Sequence, residues 1–465
     1  MTRSIGVILS GNLASAALMM LRTLLVSRLI SLEDFGIAST FLLALAMIEM
    51  ISALGFQQQM IQTEDGNEPT FQGALQGFSV LRGAVNALLL FALAGPMAWF
   101  FDIPQALWAF QLIALVPFVS GFTHFDLHRL SRRMQYGPSV MVAVLPPVGS
   151  LMAVVPLCHL FGDYRVLLFA ILVQMGLGVL VSHLFARRRY LLRFDGAVIL
   201  RSLRFGWPIM ISGALMFLVF NGERAIIGRT LGLEVLALFS MALSLTLTPA
   251  LVISRTTTSF FLPQLSAWRG RAGYAPLATA TMQCHILLGC VMVVGVALTG
   301  GPFLQSVLGD KYAAAIPLLT WLAALQAFRV FEGGCAVVAL AAAQTRNEML
   351  ANVVRVSLLP VAWLVVARGG DVMTVIRIGM LGEAAGFIIG LMLVLTRQGV
   401  ALRPLLAPLC VAAVLITLAC LTAGQGTDWQ VGVALVALLA AVGFAMPDFH
   451  IYLRKRTAVG HLEEG

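Results

Sequence analysis

Long apolar runs, separated by short polar stretches, constrain this chain more than any other feature. Fourteen can be placed: Ile5 to Ile30, Phe35 to Ile61, Ala74 to Phe101, Ala106 to Phe122, Pro138 to Leu160, Arg165 to Ala186 and Phe205 to Gly228, then Val235 to Leu262, Pro276 to Gly300, Ala313 to Ala343, Leu350 to Ala367, Val372 to Thr396, Leu405 to Ala423 and Val431 to Pro447. Each is near the length needed to cross about 30 Å of hydrocarbon. The expectation is an all-α integral membrane protein of about 14 transmembrane helices. Only 11% of the 465 residues are charged, and the mean hydropathy is +0.94. A soluble surface needs a charged fraction near 25%, so a water-soluble enzyme is excluded. The first run is too long, and too interrupted by Arg22 and Arg28, for a cleaved signal sequence.

The polar stretches orient the spans. With the N-terminus cytoplasmic, the inner side collects Arg3, the Arg129–Arg133 cluster, Arg187 to Arg204, Arg269, Arg271, Arg346, Arg397, Arg403, Arg454, Lys455 and Arg456. That makes 18 cations, against four outside: Arg165, Arg229, Lys311 and Arg368. This bias over short loops places both termini in the cytoplasm. The net charge of +9 is dispersed between apolar segments, which argues against nucleic-acid binding.

The longest polar stretch, Arg187 to Arg204, has about 18 residues, too few for a nucleotide-binding or catalytic domain, and no GxxxxGK[ST] motif occurs. An ATP-driven pump would need a separate ATPase subunit. A membrane-embedded polysaccharide polymerase or ligase would want a large outer loop. The six cysteines form no CxxC pair and read as small packing residues. His124 and His128 have metal-pair spacing but lack a third ligand nearby, so they read as solvated loop histidines. No cofactor or metal is expected.

The first and seventh runs align with each other. Ser10-Gly11 matches Ser212-Gly213 and Arg22 matches Arg224; after a one-residue slip, Arg28 matches Arg229 and Leu32-Glu33 matches Leu233-Glu234. An offset of six helices gives parallel repeats, an architecture of secondary transporters in which substrate lies between the lobes. The expected domains are an N-lobe (1–200), a C-lobe (201–403) and a C-terminal helix pair with its tail (404–465).

Eight arginines fall inside the spans: Arg22, Arg28, Arg82, Arg224, Arg255, Arg329, Arg355 and Arg377, opposed by Glu49, Glu223, Glu332 and Glu383. A central arginine costs about 2.5–3.5 kcal/mol to insert. Four of them left uncompensated would cost about 10 kcal/mol, comparable with a whole protein's stability. They must face partners or a hydrated cavity, and the excess positive charge suits an anionic substrate. Arg329 and Glu332, at i, i+3, read as a structural ion pair. Arg28, Arg355 and Arg377 lie near span ends, where snorkelling competes with a functional role. Arg22, Arg82, Arg224 and Arg255 lie deeper, and arginine's planar fork suits diphosphate oxygens. Glu49 and Glu383 are candidates for ion coupling, with structural pairing the plainer role for each. Pro249, mid-span before Arg255, could be a hinge or an ordinary kink.

Three stretches resemble the polysaccharide and oligosaccharide flippases of the multidrug/oligosaccharidyl-lipid/polysaccharide exporter superfamily. They are Arg28-Leu-Ile-Ser-Leu-Glu-Asp-Phe-Gly36, Leu54-Gly-Phe-Gln-Gln-Gln-Met-Ile-Gln62, and Phe205-Gly-Trp-Pro208 followed by Arg224-Ala-Ile-Ile-Gly228. The resemblance implies two six-helix lobes and alternating access. It implies export of an undecaprenyl-diphosphate-linked oligosaccharide across a bacterial inner membrane, for exopolysaccharide, capsule or O-antigen, beside polymerase and export partners. The related lipid II flippases carry two arginines six apart on helix one and another on helix eight. That likeness assigns diphosphate binding to Arg22, Arg28 and Arg255, with Arg82 and Arg224 as further candidates. The family's aspartate before the helix-seven arginine is Glu223 here. The alternative, a multidrug or small-molecule exporter of the same superfamily, would want an acid on helix one, where this chain has only arginines.

Overall fold

Backbone amides in hydrocarbon have no water to bond, so apolar runs satisfy them by forming helices. In the computed structural model every apolar run is helical. The structure describes residues 2–271, 273–344, 346–424, 429–452 and 454, with residues 2–9 described by backbone alone, and no strand occurs among them. Lys455 and Arg456 lie outside the described residues.

Packing divides the chain into two compact units, Met1–Ala237 and Leu238–Gly465. The first holds α1 (Thr2–Leu29), α2 (Leu32–Ile51), α3 (Phe56–Gln62), α4 (Pro69–Phe100) and α5 (Leu107–Ile113). It continues with α6 (Leu115–Ser120), α7 (Asp126–Arg132), α8 (Gly137–Leu160), α9 (Arg165–Leu184) and α10 (Gly196–Thr230). Helix α11 (Leu233–Trp268) runs through the division and passes Pro249 without interruption. The second unit adds α12 (Tyr274–Leu308), α13 (Ile316–Ala341), α14 (Arg346–Ser357) and α15 (Leu359–Ala367). It ends with α16 (Val372–Gln398), α17 (Arg403–Leu421) and α18 (Trp429–Phe444).

By length and composition, 11 helical segments among the described residues can cross a membrane, and Pro104–Ser120 and Trp429–Phe444 are apolar but shorter. The protein is a multi-pass membrane protein, with the number of spans short of the expected fourteen by this criterion. Two spans are broken. Gly55, in the left-handed region at φ 67°, separates α2 from α3. Pro360, in the first turn of α15, follows the break after α14. Helix α10 starts nine residues before the expected apolar run, because Asp195 caps it by accepting the Ala197 and Val198 amides. The polar stretch before it therefore shrinks to residues 185–195.

In the first unit α1 packs on α8, α8 on α9, and α10 on α2. The last contact needs Gly213, where a Cβ would lie 1.9 Å from the Met50 carbonyl oxygen. A division by packing thus groups α10 with the first unit, whereas a boundary at 201 follows the repeat. In the second unit α13 packs between α12 and α16, and α17 and α18 cover α12. An apolar cluster including Val293, Ala327 and Leu415 lies at its core, beside buried polar side chains such as Gln283, His285 and Glu332.

Candidate functional site

Arg22 sits three-quarters of the way along α1 and is 6% exposed. Its Nη1 donates to Ser150 Oγ on α8 (3.1 Å) and to Gln174 Oε1 on α9. Ser150 in turn donates to the Ala170 carbonyl (2.7 Å), so its oxygen is turned towards the guanidinium. Among the described residues Arg22 has no carboxylate partner, and its buried Nε has no hydrogen-bond partner. The site is a cation held by neutral dipoles inside an apolar bundle. Ser150 and Gln174 were absent from the sequence expectation. The available signal was an amide and a hydroxyl placed mid-run in otherwise apolar spans.

Arg82, on α4, braces the break between α2 and α3. Its Nη1 donates to the Ser52 carbonyl (3.1 Å), and its guanidinium lies 5.1 Å from the Phe56 ring centre. Asn86, one turn on, donates to Ser52 Oγ (2.7 Å). The carbonyls at a helix end need such donors. Glu49, exposed on the last turns of α2, is close enough for its charge to act on Arg82. Arg224 is half-buried on α10 and donates to Asn221 Oδ1 (3.3 Å); Glu223 beside it is buried. Arg28 is exposed at the end of α1. In the second unit, Arg255 is exposed on α11.

The second unit treats its charges differently. Arg329 on α13 meets Glu383 on α16 at 2.6 Å. Arg355 on α14 bridges Glu383 (3.0 Å) and Glu332 on α13 (3.0 Å). Gln326 and Asn352 accept further bonds from Arg329 and Arg355. Gly386 leaves room for this closure, since a Cβ there would lie 2.7 Å from Arg355 Nε. Two expectations are corrected. Glu332 pairs with Arg355, and Arg329 with Glu383, because α14 and α16 bring these partners to α13 across the bundle; the i, i+3 pair does not form. Arg355 does not snorkel, its side chain being 9% exposed within this network. Arg377 is exposed, 5.1 Å from the Trp321 ring centre, as an interfacial arginine would be.

Two arginines and two glutamates cancel here. Of the eight internal arginines and four acids, six arginines and two acids are left, so the positive excess lies outside this network. Glu383, a candidate for ion coupling, is held by two guanidiniums.

The histidine pair is also corrected. His124 is 1% exposed. Its Nδ1 accepts the Asp126 amide (3.1 Å), and its Nε2 lies 3.0 Å from the Arg188 carbonyl. Asp126 binds Arg129 Nε (2.5 Å) and accepts the Arg187 and Arg188 amides (2.8 and 3.2 Å). Burial alone would raise the Asp126 carboxyl, but the Arg129 and Arg187 hydrogen bonds outweigh it and hold the group below the usual carboxylate range. Burial lowers His124 and pushes His128 down to about 4. These residues tie α7 to the segment after α9, a packed knot rather than a solvated loop.

The chain matches the family described as "Polysaccharide biosynthesis protein" over residues 25–317, well over half its length. It is 25% identical over 332 residues to the succinoglycan biosynthesis transport protein ExoT of Rhizobium meliloti (strain 1021), covering 69% of this chain and 65% of that one. It is 20% identical over 289 residues to the teichuronic acid biosynthesis protein TuaB of Bacillus subtilis (strain 168), covering 61% and 59%. The alignments thus span less than two thirds of either relative. Among solved structures, the lipid II flippase MurJ in an inward closed conformation shares the fold with a TM-score of 0.71 at 12% identity, covering 94% of this chain and 98% of that one. An inward-facing multidrug resistance MATE family transporter of the MOP superfamily follows at 0.65 and 14%, covering 81% and 93%. By the family match, this membrane protein belongs to the polysaccharide biosynthesis protein family, with a fold shared with the MurJ and MATE structures.

Proposed function

We propose that the protein flips an undecaprenyl-diphosphate-linked oligosaccharide from the inner to the outer leaflet of a bacterial inner membrane. The movement proceeds by alternating access, changes no covalent bond, and serves exopolysaccharide, capsule or O-antigen assembly. Both termini lie in the cytoplasm. The functional lobes are 1–200 and 201–403, with 404–465 appended.

One observation carries this reading: Arg22 is buried in an apolar bundle with neutral partners and no carboxylate. A cation kept there at a cost of about 2.5–3.5 kcal/mol calls for an anion that visits it. A diphosphate supplies that charge in a form the guanidinium fork can grip. Arg28 and Arg255 are exposed, where they can meet further phosphate oxygens as the lipid moves. Arg82 and Arg224 contribute from braced positions. Glu49 is the better placed of the two candidate coupling acids, because Glu383 would first have to leave two arginines. The likeness to ExoT, a transport protein of succinoglycan biosynthesis, and to the lipid II flippase MurJ supports this substrate class.

The test is translocation of a labelled undecaprenyl-diphosphate oligosaccharide in proteoliposomes, comparing wild type with Arg22→Ala/Arg255→Ala. Lipid crossing in the wild type and stalled in the variant is the expected result. Equal crossing in both would reject the arginine site. No crossing by folded wild type, with several head groups tried, would reject the flippase in favour of a small-molecule exporter.

A further inference from the structure

Residues 185–195, between α9 and α10, form no helix or strand. From Arg187 to Leu191 burial alternates: Arg187, Arg189 and Leu191 are exposed, while Arg188 and Tyr190 are half-buried. In an extended chain successive side chains point to opposite sides. The inward set is used up in structure. Arg188 Nη1 donates to the Asn67 carbonyl (2.9 Å) and to Gln72 Oε1 (3.4 Å), and the Tyr190 ring packs on His124 and His183. The backbone is pinned to α4. Gln76 donates to the Leu191 carbonyl (2.7 Å), and the Arg193 amide donates to the Gly73 carbonyl (3.1 Å). Gly77 is required beneath it, since a Cβ would lie 2.0 Å from the Arg193 oxygen. The segment is a shelf fixed to the helix.

The outward set has no use within the fold. Arg189 and Arg193 are exposed and make no ion pair or hydrogen bond through their side chains among the described residues. The adjacent acid, Asp195, is spent capping α10. Arg187 donates to Gln135 (2.9 Å), which brings the turn carrying exposed Arg133 alongside. Among these cations stand Leu191, Leu192 and Phe194, 42%, 44% and 68% exposed. Beside the shelf lies a cavity of about 180 Å³ lined by Pro69, Gln72, Gln76, Arg188, Arg189 and Leu191. Arg189 thus borders a space whose other polar groups, Arg188, Gln72 and Gln76, are already bonded within the fold, with apolar side chains next to it.

We propose that this shelf and its cavity bind the phosphodiester headgroup of an anionic phospholipid. Arginine's fork meets phosphate oxygens in pairs. Exposed Leu and Phe beside the cations would be a liability towards water or a soluble anion, but they suit the boundary between headgroup and acyl chain. The proposal does not rest on what the protein transports.

Native mass spectrometry of the full chain tests it, comparing retained phosphatidylglycerol with phosphatidylcholine. Wild type is expected to prefer phosphatidylglycerol by about tenfold, and Arg189→Gln/Arg193→Gln to lose most of that preference. Arg189→Lys/Arg193→Lys should keep part of it. Arg368→Gln/Arg377→Gln, which removes the same charge elsewhere, should keep it all. Equal retention of the two lipids by wild type would overturn the site, as would an equal loss in the Arg368/Arg377 control. Displacement of the lipid by millimolar inorganic phosphate would also overturn it and point to a soluble anion instead.

Discussion

Within the membrane spans the two units bury arginine in opposite ways, whereas Arg129 of the first unit, outside the spans, is paired with Asp126. In the second, Arg329 and Arg355 are closed against Glu332 and Glu383 within 3.0 Å, and nothing is left to attract a foreign charge. In the first, Arg22 has a hydroxyl and an amide, which orient a guanidinium without neutralising it. The same residue type is thus a structural clasp in one place and a standing demand for an anion in the other. Burial alone does not separate the two, since Arg22 and the Arg355 side chain are 6% and 9% exposed. The counter-charge does.

The largest effect should come from opening the clasp. Glu383→Ala leaves two buried guanidiniums sharing Glu332, and breaking such a pair costs about 3–5 kcal/mol. Thermal unfolding of the detergent-solubilised protein should show it; a loss under about 1 kcal/mol would mean the network is hydrated and stores little energy. Arg22→Leu should do the reverse. It removes an uncompensated charge, so stability should rise by about 1–3 kcal/mol while translocation falls by about tenfold or more. A variant that unfolds instead would place Arg22 with the structural arginines and erase the contrast. Gly386→Ala tests how tightly the clasp is fitted, because its Cβ would press on Arg355 Nε. A loss of about 1–3 kcal/mol is expected, measured in the same unfolding assay.

The smallest effect concerns neither arginine set but the knot at α7. His128, depressed to about 4, is neutral in the folded protein at pH 7. An unfolded histidine titrates near 6.5, so its contribution is complete above that pH and is lost as pH falls from about 6.5 towards 4. Amide-exchange protection factors across residues 124–132, corrected for the intrinsic pH dependence of exchange, should therefore fall on acidification within that window. Flat protection factors through the window would assign the histidines no part in holding the knot.

Much of the architecture was legible because lipid leaves a helix as the only open structure for an apolar run. The runs from Pro138 to Leu160 and from Arg165 onward coincide with α8 and α9 nearly to the residue. Helix extensions were harder to see, because Asp195 starts α10 from outside the apolar run by a local hydrogen bond. The arginines of the candidate site were legible as residues out of place in hydrocarbon, but their partners were not. Arg329 and Glu332 are neighbours in sequence and on one helix face, and still bind elsewhere. His124, beside a basic stretch, is buried because Ser182, Arg188 and Tyr190 fold over it from the far end of α9.

From the sequence alone follow the membrane setting, the helical class, the asymmetry of basic residues and the surplus of arginine over acid within the spans. These depend on composition and on short-range periodicity, which no distant contact can alter. Which arginine is neutralised and which is left charged was decided by the tertiary structure. An ion pair needs its partners within about 4 Å and a hydrogen bond needs them closer, and residues 22, 150 and 174, or 329, 355 and 383, reach such distances only when three helices have packed.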